Sequence, residues 1–331
     1  MNAMARPALL LTVLLAAVSA EGQTAASRTA QRVRLVPQFV PGQNLAYQME
    51  WRAASEGTVA GPLADPQAPK KTEVVLSALV RIQVLSTTPD AAGKAPRPRL
   101  RMRYENISAT TRADVYDPRL ADAAAEWRKL EGQWLEFTLS GEGRPTEITG
   151  LEGIAAEQRA VIQDSLAQFS LGARMPEKGV LPGETWRAEP VRPVSAPLAN
   201  LVWQTESTYL RDEACRPVAL TPVGKLEPRA TEEACAVILT RFALTQRGKP
   251  RDQTPPEYRT RGLRTSGTLQ GTGESLSYIS LSTGLLVSLT MSANEEMDVT
   301  VASEDRSLTV RYTARTHTQS QISLLADRPA P

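Results

Sequence analysis

Val74-Val75-Leu76-Ser77-Ala78-Leu79-Val80-Arg81-Ile82-Gln83-Val84 is the stretch that decides the fold class. Val74, Leu76, Ala78, Val80, Ile82 and Val84 fall on every second position, so all six point the same way if the backbone is extended. One long strand with a buried face follows. The same alternation extends outward. Upstream, Leu45, Tyr47, Met49 and Trp51 alternate with polar neighbours; downstream, Leu100, Met102 and Tyr104 face one way and Arg99, Arg101 and Arg103 the other. Further strand patterns cover 133–139, 144–149, 199–211, 233–246, 261–270, 274–281, 285–293, 297–303 and 307–324. Long strands with short connections predict a mainly β protein built from curved, half-barrel-like antiparallel sheets.

Turn chemistry fills the gaps. Ser140 to Gly143, Gly271 to Gly273 and Ser282 to Gly284 read as hairpin connections. Ala53–Lys71, Thr87–Pro98 and Arg247–Glu257 read as surface loops, and the last residues, 328–331, as a disordered tail. Two helices interrupt the strands. One starts at Asp117-Pro118 and runs to about Leu130. The other spans Leu151 to Leu171, with Leu151, Ile154, Ala155, Ile162, Leu166 and Phe169 on one stripe and Gly172 as its stop, and is expected to pack on the first sheet.

The sequence also matches itself. Pro41-Gly42-Gln43-Asn44-Leu45-Ala46 and Pro182-Gly183-Glu184-Thr185-Trp186-Arg187 each open a strand, at an offset of 182 − 41 = 141. Leu135, Phe137, Gly143, Ile148 and Thr149 align with Leu276, Tyr278, Gly284, Leu289 and Thr290 at the same offset, 276 − 135 = 141. Two related units are expected, 21–172 and 173–327, each a curved sheet. The Pro182-Gly-x-x-Trp186 opening, the long alternating strands and the closing hairpin resemble exported bacterial proteins of unknown function with a lipoprotein-carrier-like half-barrel. Leu45 stands where the first unit would carry the tryptophan. That resemblance implies a curved sheet with an apolar concavity able to hold acyl chains.

Residues 1–20 have the three parts of an export signal: Arg6 in a short basic start, an apolar run from Ala8 to Val18 broken only by Thr12, and small residues framing cleavage between Ala20 and Glu21. The run is about half the roughly 20 residues a spanning helix needs. The residue after the cut is not cysteine, so a lipid anchor is not expected. The mature chain of 331 − 20 = 311 residues is therefore expected in the periplasm or secreted, and not membrane-spanning. Cys215 and Cys235, the two cysteines, then read as one structural disulfide.

Chemistry is sparse. Lys and Arg number 38 against 36 Asp and Glu, a balance that disfavours nucleic acid as a partner. The one histidine, His317, shares strand parity with Arg311, Thr313 and Arg315 and is read as a surface residue. It has no nucleophile elbow and no set of zinc ligands around it, so neither catalytic residues nor a metal or cofactor are predicted. Gly271-Thr-Gly273 lacks the Lys-Ser/Thr and helix of a phosphate loop. Glu295, Glu296 and Asp298 read as a solvated turn.

Two candidate sites remain. Tyr47, Trp51, Phe137 and Trp186 sit on apolar strand faces and are candidates for lining a ligand cavity. Arg99, Arg101 and Arg103, spaced for bidentate contacts, are candidates for binding anions. The expected function is non-enzymatic: carriage of an apolar molecule or lipid, or a structural role in the cell envelope with an envelope protein as partner. A hydrolase working through paired carboxylates, and a polyanion- or partner-binding module on the arginine strand, are the alternatives.

Overall fold

A computed structural model describes residues 32–326, apart from 63–66, 68–69, 89–96, 117–121, 123, 126, 141–144, 153–174, 188–191, 194–196, 221–225, 229–231, 249–251 and 306. The export signal, most of the second expected helix and the tail lie outside those residues. Fourteen strands are described: β1 (Asn44–Ala60), β2 (Lys71–Thr88), β3 (Arg97–Ala113), β4 (Trp134–Leu139), β5 (Pro145–Thr149), β6 (Thr185–Arg187), β7 (Arg192–Pro193), β8 (Leu201–Cys215), β9 (Val218–Leu220), β10 (Leu226–Pro228), β11 (Glu233–Gln246), β12 (Leu263–Ser280), β13 (Leu286–Ser303) and β14 (Thr309–Leu325). Among the described residues, helix is confined to positions within 122–128 and to one turn, Pro256–Arg259.

The protein is mainly antiparallel β, in a single curved sheet. Its order is β5-β4-β3-β2-β1-β14-β13-β12-β11-β8-β6. One meander runs β1 to β5 and a second runs β6, β8, β11, β12, β13. They are joined because β14 returns to pair with β13 on one side and β1 on the other, from Ala46↔Leu325 to Ala60↔Arg311. Where two sheets were expected, the strands therefore share one continuous ladder. The two Pro-Gly openings take up the same local structure. Gly42 and Gly183 both have left-handed φ, +83° and +86°. The amide of each donates to a strand carbonyl, that of Val84 and that of Tyr209.

Alternation sorts the side chains into two faces. The inner face carries Leu100, Met102, Leu135, Phe137, Val80, Ile82, Tyr47, Met49, Ile322, Leu289, Ile238 and Tyr209, all buried in one cluster. Each large apolar side chain so buried contributes about 1.5–3 kcal/mol. At this end the face is covered: Leu35, Leu130, Leu151, Met175 and Val180 join the same cluster. Val33 and Val180 exchange both backbone hydrogen bonds at 2.9 Å.

The outer face is a ladder of cross-strand ion pairs. Arg52 and Arg112 meet Glu73, Arg81 meets Glu105, Arg99 and Arg101 meet Glu136, Arg311 meets Asp298 and Arg315 meets Glu296. Exposed pairs of this kind stabilise by about 0–1 kcal/mol each. On the same face, at the end with the disulfide, Cys215, Cys235 and Val287 are buried with Tyr278 against them.

Three sequence expectations are corrected here. The segment from Ala53 is not a loop: β1 continues to Ala60, paired with β14 throughout and with β2 as far as Glu56. Ala53, Ser55, Gly57 and Val59 keep the inward parity of Trp51, and their small size hid the strand. Gly271 and Gly273 are not a turn but lie within β12, which runs unbroken from Leu263 to Ser280. Glu295, Glu296 and Asp298 are not a turn either, since β13 passes straight through them. By contrast, Ser282–Gly284 does connect β12 to β13, with Gly284 at φ +67°.

Candidate functional site

Beyond the covered end, the inner face continues across the sheet as transverse rows of directly paired residues. One row reads Ala109, Leu76, Trp51, Ser320, Met291, Ser275, Thr240, Ser207, Trp186. The next reads Thr111, Val74, Ala53, Thr318, Ala293, Gly273, Phe242, Thr205. The third reads Ala113, Thr72, Ser55, Thr316, Glu295, Gly271, Leu244, Trp203. Small residues dominate the middle of these rows and aromatics their flank. The sheet is thus lined by short side chains where its inner face is not filled by core.

A groove of about 580 Å³ follows the third row across β3, β2, β1, β14 and β13. Each strand supplies three consecutive residues centred on its inward member: 112–114, 71–73, 54–56, 315–317 and 294–296. That centring puts the groove on the inner side. Along its floor the Thr316 hydroxyl donates to Ser55 Oγ at 3.0 Å. A second apolar cluster borders it, made of Leu198, Leu201, Leu244 and Val299 with Trp203, Leu269, Met297 and Val301 against them. Trp203 and Phe242 meet edge to face, ring centroids 5.4 Å apart.

Glu295 is the chemical exception in this setting. It is the one carboxylate in the three rows above. A Cβ on Gly271 would lie 3.0 Å from the Glu295 Cγ and 3.3 Å from the Trp203 ring, so the glycine leaves the space those two side chains use. Gly273 does the same for Phe242, whose ring would lie 2.5 Å from such a Cβ. Burial pushes the Glu295 carboxyl above its ordinary range. Among the described residues no hydrogen bond or ion pair holds it, whereas Glu56, Glu73 and Glu296 around the same groove face Lys71, Arg52 and Arg315.

Of the residues singled out in the sequence, Tyr47 and Phe137 are core, each 2% exposed. Trp51 and Trp186 are half-buried against the same cluster and lie in one transverse row, so the four share a face. Arg99, Arg101 and Arg103 line the outer face. Glu136 bridges Arg99 and Arg101 at 2.9 and 2.7 Å, and Trp134 lies under the guanidinium groups of Arg101 and Arg103 at 5.5 and 5.4 Å. The hydrogen bonds from Arg101 and then Arg99 hold the Glu136 carboxyl below its ordinary range. His317 is exposed, its Nδ1 2.9 Å from Asn294 Oδ1. Cys215 and Cys235 form a disulfide, Cα atoms 5.8 Å apart, packed with Val287 and Tyr278.

Among the described residues no group of three or more His, Cys, Asp or Glu is placed to hold a metal ion. None of their helices is long and apolar enough to cross a membrane. The face of Glu295, Gly271 and Trp203 was missed in the sequence, although Glu295 shares parity with Met291, Ala293, Met297 and Val299.

No family model matches the sequence, and no curated protein does. Among solved structures the chain is similar to one describing lipid–protein interactions in lipovitellin, with 10% identity and a TM-score of 0.46 over 89% of this chain. The chain spans 26% of that lipovitellin chain. It is also similar to the outer membrane protein OprG from Pseudomonas aeruginosa, at 7% identity and a TM-score of 0.17 over 89% of this chain and 100% of that one. The toluene transporter TodX of Pseudomonas putida matches at 7% identity and a TM-score of 0.10, over 86% and 89% of the two chains. None of these likenesses shows a family.

Proposed function

We propose that this protein is an exported, non-enzymatic binder of an apolar ligand of the acyl-chain class, held along the inner face of its sheet. The observation that carries this is the groove on the third row. It has a volume in the range of small-molecule sites; its own lining is small, polar and charged, and half-buried Trp203 and Met297 of the second apolar cluster continue the inner face beside it. Short residues under the groove leave depth for a chain, and the aromatic flank supplies contact area. The ion-paired outer face and the disulfide suit a protein that works in an oxidising aqueous compartment.

The reading is tested with a series of bromododecanols carrying bromine along the chain. Bromine within contact distance of Trp51 or Trp203 should quench their emission saturably, while Trp134 on the outer face should be unaffected. Tryptophan-to-phenylalanine variants assign each component. Absence of saturable quenching, together with no alkyl adduct in native mass spectrometry, would overturn the proposal.

A further inference from the structure

Glu295 on the inner face carries an inference about the ligand's polar end, one that rests on the apolar-ligand reading above. We infer that the groove selects an amphipathic ligand with a cationic, amine-type head, which pairs with Glu295 while its apolar chain lies over the neighbouring rows. The argument starts from charge. The carboxylates around the groove divide by strand parity: Glu56, Glu73 and Glu296 point outward and meet cations there, and Asp114 accepts from the Lys70 amide. Glu295 points inward, between Thr316 and Gly271 in register, and no described cation meets it. A carboxylate moved from water to a half-buried position without a partner is unfavourable unless something restores the lost interaction.

Geometry makes the position look prepared. Gly271 removes the side chain that would otherwise collide with the Glu295 stem and with Trp203. The Ser55 and Thr316 hydroxyls stand beside it in the same row, and both can accept hydrogen bonds from an ammonium group. Leu269, Met297 and Val301 continue the face on the side of the second cluster, and Ala53, Val74 and Trp51 continue it towards the core. An alkylammonium laid on this face thus meets one unpaired anion, two acceptors and an apolar track, while Lys71, Arg112 and Arg315 along the groove are taken up by Glu56, Glu73 and Glu296. An alkyl carboxylate would meet like charge. Burial already raises the Glu295 carboxyl, as expected of an anion lacking its counter-charge.

The experiment compares three ligands of one chain length, dodecylamine, dodecanol and dodecanoate, below their micellar concentrations, by calorimetric titration of the full chain and of Glu295→Gln. Dodecylamine should bind wild type about tenfold more tightly than dodecanol, the scale of a charge-assisted hydrogen bond. Glu295→Gln should bring the amine to the alcohol's affinity and leave the alcohol unchanged, which also shows that the variant is folded. Equal binding of amine and alcohol by wild type, tighter binding of dodecanoate than of dodecylamine, or a wild-type amine preference in Glu295→Gln would each overturn the inference while leaving the apolar-ligand reading intact. Binding of none of the three would overturn both.

Discussion

Adding one methyl group at Gly273 should destabilise the protein, and the structure says by how much and through which atoms. Gly273 has no left-handed φ, so backbone conformation is not its reason for being glycine. A Cβ there would lie 2.5 Å from both Cε2 and Cζ of Phe242 and 2.5 Å from the Ser292 carbonyl oxygen. The phenyl ring cannot simply swing aside, because Trp203 stands edge-on to it at 5.4 Å. Overpacking of this kind costs about 1–3 kcal/mol. Replacing a strand glycine by alanine gives back about 0.5–1 kcal/mol of chain entropy. Gly273→Ala should therefore lower stability by about 1–2 kcal/mol, read from urea unfolding at constant m-value. Because the ring is half of the collision, the Phe242→Ala background should relieve part of the loss, a coupling of about 1 kcal/mol. Gly42→Ala is the control. Nothing lies within 4 Å of its Cβ position, and its φ of +83° predicts a cost independent of Phe242, about 1 kcal/mol. Wild-type stability in Gly273→Ala, or equal coupling of both alanines to Phe242, would refute the view that this glycine exists to seat the ring.

Two further predictions concern covalent and titrating groups. Replacing Cys215 and Cys235 together by alanine should lower stability by about 3 kcal/mol, the chain-entropy value for a loop of this size, given their separation of 20 residues. The comparison is equilibrium unfolding of wild type and double variant without reductant, and a difference under about 1 kcal/mol would show that the unfolded chain gains little freedom. Asp305 accepts hydrogen bonds from the Ser303 hydroxyl and from the Ser307 amide and hydroxyl in the β13–β14 turn, which lowers its carboxyl to about 2. Since the folded value lies below the unfolded one, its contribution is complete above about pH 4 and is lost as pH falls towards about 2. A carbon-detected NMR titration should place its midpoint near the lower value in wild type and shift it upward, short of an ordinary aspartate value because the Ser307 amide remains, in a Ser303→Ala, Ser307→Ala double variant.

The sheet was legible in the sequence because one of its faces is dry. Val74 to Val84, Leu45 to Trp51 and Leu100 to Tyr104 repeat every second residue, and burial of that parity leaves no other reading. What escaped was whatever depends on partners far along the chain. Gly271-Thr-Gly273 looked like a turn because a glycine pair has two physical uses, a sharp bend or a gap for a neighbour. Only the opposing Glu295 and Phe242 decide between them. Likewise Glu295-Glu296-Met297-Asp298 reads as a charged cluster when taken residue by residue. Extended backbone splits it, sending Glu296 and Asp298 to arginines on the outer face and Glu295 inward. The arginine stripe was read correctly as one strand face, but Glu136 and Trp134, supplied by β4, were not readable from Arg99, Arg101 and Arg103 alone. No local signal announces the join between β1 and β14, where paired residues are more than 250 positions apart, as Thr58 and Thr313 are at 255.

That join explains how a long sheet can keep an unfilled inner face. Open sheets are vulnerable at their edges, where unpaired backbone invites other strands. Here the path ends on two short strands, β5 of 5 residues and β6 of 3, while the middle strands β1, β2, β3, β12, β13 and β14 have 17 or 18. Backbone pairing is thus continuous through the middle of the sheet, while β4 covers only Arg99–Arg103 of β3 at one side. Side-chain packing need not then do all the stabilising. The covered end, with Tyr47, Met102, Leu135, Ile238 and Ile322, can hold the strands in register while the rows through Ser55 and Glu295 stay lined by small residues. A sheet stabilised by packing along its whole length would have filled those rows with leucine and isoleucine. The presence there of Ala53, Ser55, Thr72 and Thr316 means that the strands give up core at this level and keep a surface instead. An apolar chain lying on that surface would restore the missing packing, so ligand binding and sheet stability should rise together.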